Sequence, residues 1–239
     1  MDYLVRDALH TGVTAGRFDY HRLLNTLTVI EHPVTGSPVL AIERGGLHAA
    51  EGLLLARYFM FLQVYFHDVR RIYDIHLKDF LVSQLPGGRF PAPLDSYLAW
   101  TDSQIHSDIA AVAGAGEEGG ELASRLLHRQ HYRAAWQVTA QDRSEDPEIF
   151  NELARHVQRI FGDGIRVDEA GKEAQTLEEG RLYILGDDGQ PRDILRESAL
   201  IQSLKPIWMG RVYAKQVLVP EVKETCAEFM RQEVANNNE

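Results

Sequence analysis

The chain has 239 residues, 44% of them hydrophobic and 25% charged, enough to bury one large core or a core with a smaller appended unit. Its formal net charge of −10 makes nonspecific nucleic-acid binding unfavourable, because a basic footprint supplies most of that affinity; clustered arginines can still hold a small phosphorylated ligand. A single cysteine, Cys226, excludes an intramolecular disulfide and a thiolate zinc cluster.

Residues 2 to 9 are helix-compatible from the first position. No Ser, Thr, Asp or Asn precedes them to cap the backbone donors of a helix start, so the chain reads as beginning inside an element. The stretch Met1 to Asp7 carries acids where a secretory leader carries a basic stretch and an apolar run. The apolar run Phe59-Met60-Phe61-Leu62 is broken by Gln63, His67 and Asp68, well short of the roughly 20 residues a membrane span needs. A cytoplasmic protein with no membrane partner is expected.

After Gly12 and Gly16, Asp19 is placed to cap a short helix through Leu23 and Leu27. Alternation in Thr28 to Ile30 and Val39 to Ile42, around Pro33-Val34-Thr35-Gly36, predicts a hairpin. From Leu47 to about Leu85 there is no proline and only Gly52 as a breaker, which predicts one long or once-interrupted central helix ending at Pro86-Gly87-Gly88. Residues 94 to 113 and 121 to 140 read as two more helices, separated by a glycine-rich tract, 114 to 120, that reads as flexible. Asp146-Pro147 opens another helix, with Ile149, Leu153 and Val157 at i, i+4, i+8 and Gly162 as its stop. Beyond Gly164 the period changes. Residues 165–167, 182–185 and 212–214 are β-favouring runs, Asp188-Gly189 is a hairpin turn signal, and helices are expected near 194 to 204 and 220 to 232. The fold class is therefore mainly α, with a helical region over 1–140 and a small α+β C-terminal lobe over 141–239.

Tyr3 and Asp7, four apart on a helix, share one face. An aromatic wall beside a carboxylate can hold a sugar, the acid accepting from a hydroxyl while the ring limits what fits beside it; an exposed carboxylate near a helix end fits the same six residues. On the central helix, Arg57 and Tyr65 lie roughly 80° apart and Tyr65 and His67 roughly 160° apart, so the first two can serve one pocket while His67 faces another. An arginine among so many apolar residues needs a carboxylate or a phosphate, and both readings stay open. His67-Asp68 spells a His-Asp doublet, but neighbours on a helix diverge by about 100°, and the doublet reads as coincidence. His128 and His131 have a helical metal-ligand spacing but no nearby carboxylate. Walker-type, GxGxxG, GxSxG and HExxH motifs are all lacking.

Taken together, Asp2-Tyr3-x-x-Arg6-Asp7, Gly12, Phe18-Asp19-Tyr20-x-Arg22, and Arg57-Tyr58-x-Met60-x-x-Gln63-Val64-Tyr65-Phe66-His67 resemble the HD-domain deoxynucleoside triphosphate triphosphohydrolases, the bacterial branch above all. The likeness extends through Leu98, Thr101-Asp102 and Arg129 to Tyr132. It implies that Tyr3, Asp7, Arg57 and Tyr65 bind substrate: Tyr3 and Asp7 at the deoxyribose, Arg57 at the triphosphate, Tyr65 beside sugar and base. It implies that Arg22, His67 and Arg129 hold an activating nucleotide between subunits of a dimer or tetramer.

The resemblance further implies hydrolysis of a dNTP to deoxynucleoside and triphosphate by water bound to a divalent metal (Mg, Mn or Fe). The family's metal ligands all fall ahead of Met1. No metal ligand and no catalytic residue is therefore expected on this chain, which reads as a C-terminal portion: a truncated product, a mis-called start, or one piece of a split enzyme completed by an upstream HD polypeptide. A non-catalytic nucleotide-binding or oligomerisation module and a plain helical scaffold are the alternatives.

Overall fold

The computed structural model describes residues 1–113, 119–172 and 182–236. Two helices open the chain, α1 (Asp2–Thr11) and α2 (Tyr20–Asn25). No side chain caps α1 at Met1, and Gly12 closes it in the left-handed conformation at φ 73°, which costs glycine nothing. Asp19 caps α2 by accepting from the backbone N–H of Arg22 at 2.9 Å. That helix ends before Leu27, which instead begins strand β1 (Leu27–Glu31). With β2 (Pro38–Glu43), β1 forms the expected antiparallel hairpin.

The long helical stretch is interrupted once. Helix α3 (Leu47–Met60) passes into a π-helical turn over Phe61–Tyr65, and α4 (Asp68–Gln84) follows. Next come α5 (Leu94–Leu98), α6 (Asp102–Val112) and α7 (Gly120–Leu127). The helix expected over 94 to 113 is split because the Thr101 hydroxyl caps a fresh start by accepting from Gln104. Most of the tract read as flexible, residues 114 to 118, lies outside the described residues.

The helix expected over 121 to 140 is corrected more deeply, since Arg133–Val138 is strand β3. It pairs antiparallel with a later strand (Ala134 opposite Tyr213, Val138 opposite Gly210) and buries Ala135 and Val138. Cross-strand pairing overrides the helical preference of its two alanines. Helix α8 (Ala140–Glu145) carries a Thr139/Asp142 capping box, and α9 (Ile149–Phe161) buries Ile149, Leu153 and Val157 and stops at Gly162.

Strand β4 (Ile165–Lys172), β5 (Tyr183–Leu185) and β6 (Pro191–Asp193), short helices α10 (Ile194–Glu197) and α11 (Ala199–Gln202), strand β7 (Ile207–Ala214) and helix α12 (Val219–Asn236) complete the chain. β5 and β6 form an antiparallel hairpin around the turn expected at Asp188-Gly189, with β6 as its second arm. Strand β6 lies at the edge of its sheet, where the missing N–H of Pro191 is tolerated.

The protein is a predominantly helical α+β chain with two small sheets, ordered β1-β2-β5-β6 and β3-β7-β4. It forms two compact units. The first comprises 1–67 and 171–208, the second 68–170 and 209–239. In the first, α1, α2, α11 and β2 contact α3, burying Leu4, Leu23, Ile42, Leu54, Met60, Ile184 and Ile201 in one core. Gly46 sits where any Cβ would collide with Thr26 and Ile42, so the chain can approach the hairpin there only as glycine. In the second unit, Phe80, Ile109 and Ala123 form one cluster, and Ile72, Tyr132 and Tyr213 another. Among the described residues no helix is long and apolar enough to cross a membrane.

Candidate functional site

Within the first unit, the four residues singled out as substrate contacts form one continuous arrangement. The Tyr65 hydroxyl donates to Asp7 Oδ2 at 2.7 Å. The Tyr3 and Tyr65 rings lie 6.3 Å apart, tilted by 47°. Helix α1 supplies Tyr3 and Asp7 on one face, and the π-helical turn supplies Tyr65. A π turn inserts one residue into the helical register and is frequent at functional sites, so the angle between Arg57 and Tyr65 expected for an unbroken α-helix does not hold across it.

Phe61 joins the remaining member to this wall. Its ring packs edge-on to Tyr65 at 5.0 Å, and the Arg57 guanidinium carbon stands 5.0 Å from its centroid. The sequence reading passed over Phe61, although the i, i+4 stripe Arg57, Phe61, Tyr65 carried the signal. The Lys172 ammonium lies 5.7 Å from the same centroid and was also passed over; it sits at the end of β4, 111 positions beyond Phe61, where no local pattern links them.

Arg57 is only 5% exposed. Its guanidinium has no carboxylate partner among the described residues. A buried cation without an anion is costly, and a cation–π contact of this kind supplies about 1–2 kcal/mol. Asp7 is better provided: besides Tyr65, Arg6 Nε lies 3.6 Å from its Oδ1, while Arg6 also bridges to Asp2 at 2.7 Å. Its side chain keeps 31% exposure, leaving lone pairs free to accept from a ligand hydroxyl. The arrangement therefore offers an acceptor and two tyrosine rings at one end and cationic groups at the other.

The expected regulatory residues are placed differently. The exposed Arg22 donates from Nε and Nη2 to the carbonyl of Gly45 at 3.2 and 2.9 Å. His67 follows the π turn, its backbone N–H donating to Val64. Arg129 is exposed, has a positive φ of 55°, and belongs to the second unit, so the three form no single cluster within one unit. Asp68 opens α4, and its carbonyl accepts from the Tyr213 hydroxyl at 3.2 Å. His131 is buried, with Nε2 2.7 Å from Arg133, and burial pushes its pKa down. Among the described residues no group of three or more His, Cys, Asp or Glu could hold a metal ion. These residues do not fit a divalent cation by themselves.

Residues 18–237 match the family described as HD associated region. The chain belongs to this family. Membership relates it to HD-superfamily proteins. The chain is 29% identical over 238 residues to an uncharacterized protein of Methanocaldococcus jannaschii, covering 94% of this chain and 50% of that protein. It is 26% identical over 231 residues to the uncharacterized protein YwfO of Bacillus subtilis, covering 85% and 51%. The chain thus spans about half the length of these relatives. A hypothetical protein from Aquifex aeolicus has a solved structure similar to this HD-associated chain, with a TM-score of 0.76 and 32% identity, covering 94% of this chain and 55% of that one. A Bacteroides thetaiotaomicron protein described as a phosphohydrolase shares the fold at a TM-score of 0.65 and 20% identity, covering 90% and 60%.

Proposed function

We propose that this chain supplies the deoxynucleotide-binding wall of an HD-type phosphohydrolase that converts a dNTP to deoxynucleoside and triphosphate. The observation that carries this reading is Arg57: a residue 5% exposed, its guanidinium without a carboxylate partner among the described residues, on the same aromatic run as the Tyr65–Asp7 pair. Asp7 would accept from the sugar 3′-hydroxyl, Tyr3 and Tyr65 would close off the space a 2′-hydroxyl needs, and Arg57 would bind phosphate oxygens through its fixed fork of donors. A divalent metal would supply the activated water in such a reaction. The described residues of this chain would bind and orient substrate, and they include no group to hold that ion.

The test is to heat the purified 239-residue chain with each dNTP and Mg²⁺, Mn²⁺ or Fe²⁺ while assaying released triphosphate. The expected result is a raised melting temperature without triphosphate release; saturation at 100 times Kd stabilises by about 2.7 kcal/mol. An unchanged melting temperature with every dNTP refutes the reading, and metal-dependent release by this chain refutes the division of labour.

A second reading, a non-catalytic nucleotide-binding or oligomerisation module, would use the same buried Arg57. Arg22, His67 and Arg129 would then hold an activating nucleotide between subunits. Light scattering tests it: assembly into a dimer or tetramer on adding dNTP is its signature, and an unchanged mass refutes it.

A further inference from the structure

Helix α1 has an apolar side that neither the core nor the tyrosine wall uses. Leu4 and Ala8 are buried in the core, and Tyr3 and Asp7 belong to the wall. Met1, Val5 and Leu9 recur at i, i+4 and i+8 as a further stripe, with Val5 about 200° round the helix from Tyr3. Each of the three is at least 41% exposed. On α2, Tyr20 and Leu24, again four apart, are exposed as well. The two stripes flank a groove of about 300 Å³ lined by Met1, Asp2, Val5, Phe18, Tyr20 and Leu24. All of these residues belong to the first unit.

A contiguous run of large apolar side chains facing water marks an interaction surface. Stripes at i, i+4 spacing on both sides of a groove suit the apolar face of a helix, which presents its own side chains at the same spacing. The lining is otherwise poor in groups that would orient a small ligand, with only the Asp2 carboxylate and the Tyr20 hydroxyl among its side chains. The relatives supply an occupant. This chain spans about half the length of the two uncharacterized proteins it matches, and 55% and 60% of the two similar structures. In each of them the part that resembles this chain is accompanied by further polypeptide of comparable size.

We propose that the groove between α1 and α2 seats an amphipathic helix from the half of the relatives that lies outside their match to this chain. The apolar face of that helix would pack on Met1, Val5 and Leu9 of α1 and on Tyr20 and Leu24 of α2. The proposal stands apart from the nucleotide reading, because it uses a different side of α1. Val5 and Tyr3 point to nearly opposite sides, so the docked helix fixes α1 while leaving Tyr3 and Asp7 open to a ligand.

The test mixes the 239-residue chain with the part of the Methanocaldococcus jannaschii protein that lies outside its match to this chain, produced as a separate polypeptide. Light scattering and calorimetric titration are expected to show a one-to-one complex. Val5→Glu and Leu24→Glu should each weaken it about tenfold or more, as for loss of a central apolar contact. Val34→Glu, at an exposed position between β1 and β2, should leave it unchanged. Leu9→Glu, at the most exposed position of the stripe, repeats the test if Val5→Glu lowers the melting temperature of the chain. A complex indifferent to Val5, Leu9 and Leu24 overturns the proposal by placing the contact elsewhere, and the lack of any complex overturns it too. A chain that instead forms dimers dissolved by Val5→Glu overturns it in favour of a second copy as the occupant.

Discussion

The phenol of Tyr65 and the carboxylate of Asp7 are hydrogen-bonded at 2.7 Å although 58 positions separate them in the chain. The bond ties the first helix to the π-helical turn through Oδ2, while Oδ1 lies 3.6 Å from Arg6 Nε. Tyr65→Phe keeps the ring and removes the donor, so it is expected to cost about 1 kcal/mol of stability and to loosen nucleotide binding. Asp7→Ala removes the acceptor proposed for the sugar and should abolish dNTP-induced stabilisation. Equilibrium urea unfolding and thermal shift with dNTP check both; a Tyr65→Phe variant with unchanged stability and unchanged nucleotide response refutes the role given to this pair.

Arg71 and Asp168 make a two-point ion pair in the second unit. Nε and Nη2 donate to the two carboxylate oxygens at 2.8 and 2.5 Å, and hydrogen bonding to Asp168 holds the guanidinium pKa above its ordinary value. The Asp168 side chain is 9% exposed and that of Arg71 23%, so deleting one partner leaves a nearly buried charge. Arg71→Ala should lower stability by about 2–3 kcal/mol. Arg71→Met combined with Asp168→Leu should recover most of it, with the urea m-value unchanged. A double variant as unstable as the single one argues against an unpaired carboxylate as the cause.

His76 gives the second unit a pH dependence. Its Nε2 accepts from the backbone N–H of Tyr132 at 3.1 Å, which requires the neutral ring. Burial, and then the charge of Arg125, push its pKa down from 6.5 to about 4; Asp79 acts in the opposite sense, and Arg166 and His131 add to the lowering. Between those two values the unfolded chain binds a proton that the folded chain does not. Stability from this group is therefore complete above pH 6.5 and is lost as pH falls toward 4, with a slope of at most about 1.4 kcal/mol per pH unit. His76→Asn should flatten the stability profile between pH 6.5 and 4 relative to the unsubstituted chain. An identical slope in both proteins contradicts this assignment.

Much of the site was legible because its residues recur at helical spacing. Tyr3 and Asp7 share a face of α1, and Arg57 and Tyr65 lie on one helical stretch, read as either continuous or once interrupted and found to be interrupted once. Phe61 was missed because an aromatic residue in an apolar run reads as core, and Lys172 because its contact is made only when β4 reaches the turn. Helix α2, the hairpin and α9 followed from punctuation by Asp19, Pro33, Gly36, Asp146 and Gly162. Strand β3 did not, since Arg133-Ala134-Ala135 carries no alternation and becomes a strand through pairing with β7. The two compact units each draw on two separated stretches, an arrangement that local signals do not carry.

The most direct test of the central claim is calorimetric titration of this chain with each deoxynucleoside triphosphate and its ribonucleotide counterpart, repeated with Arg57→Ala. The account predicts that at least one dNTP binds more tightly than its ribonucleotide and that Arg57→Ala weakens that binding by about tenfold or more, on the scale of a lost charge-assisted contact. Equal affinity for the deoxy and ribo forms, or binding indifferent to Arg57, would contradict it.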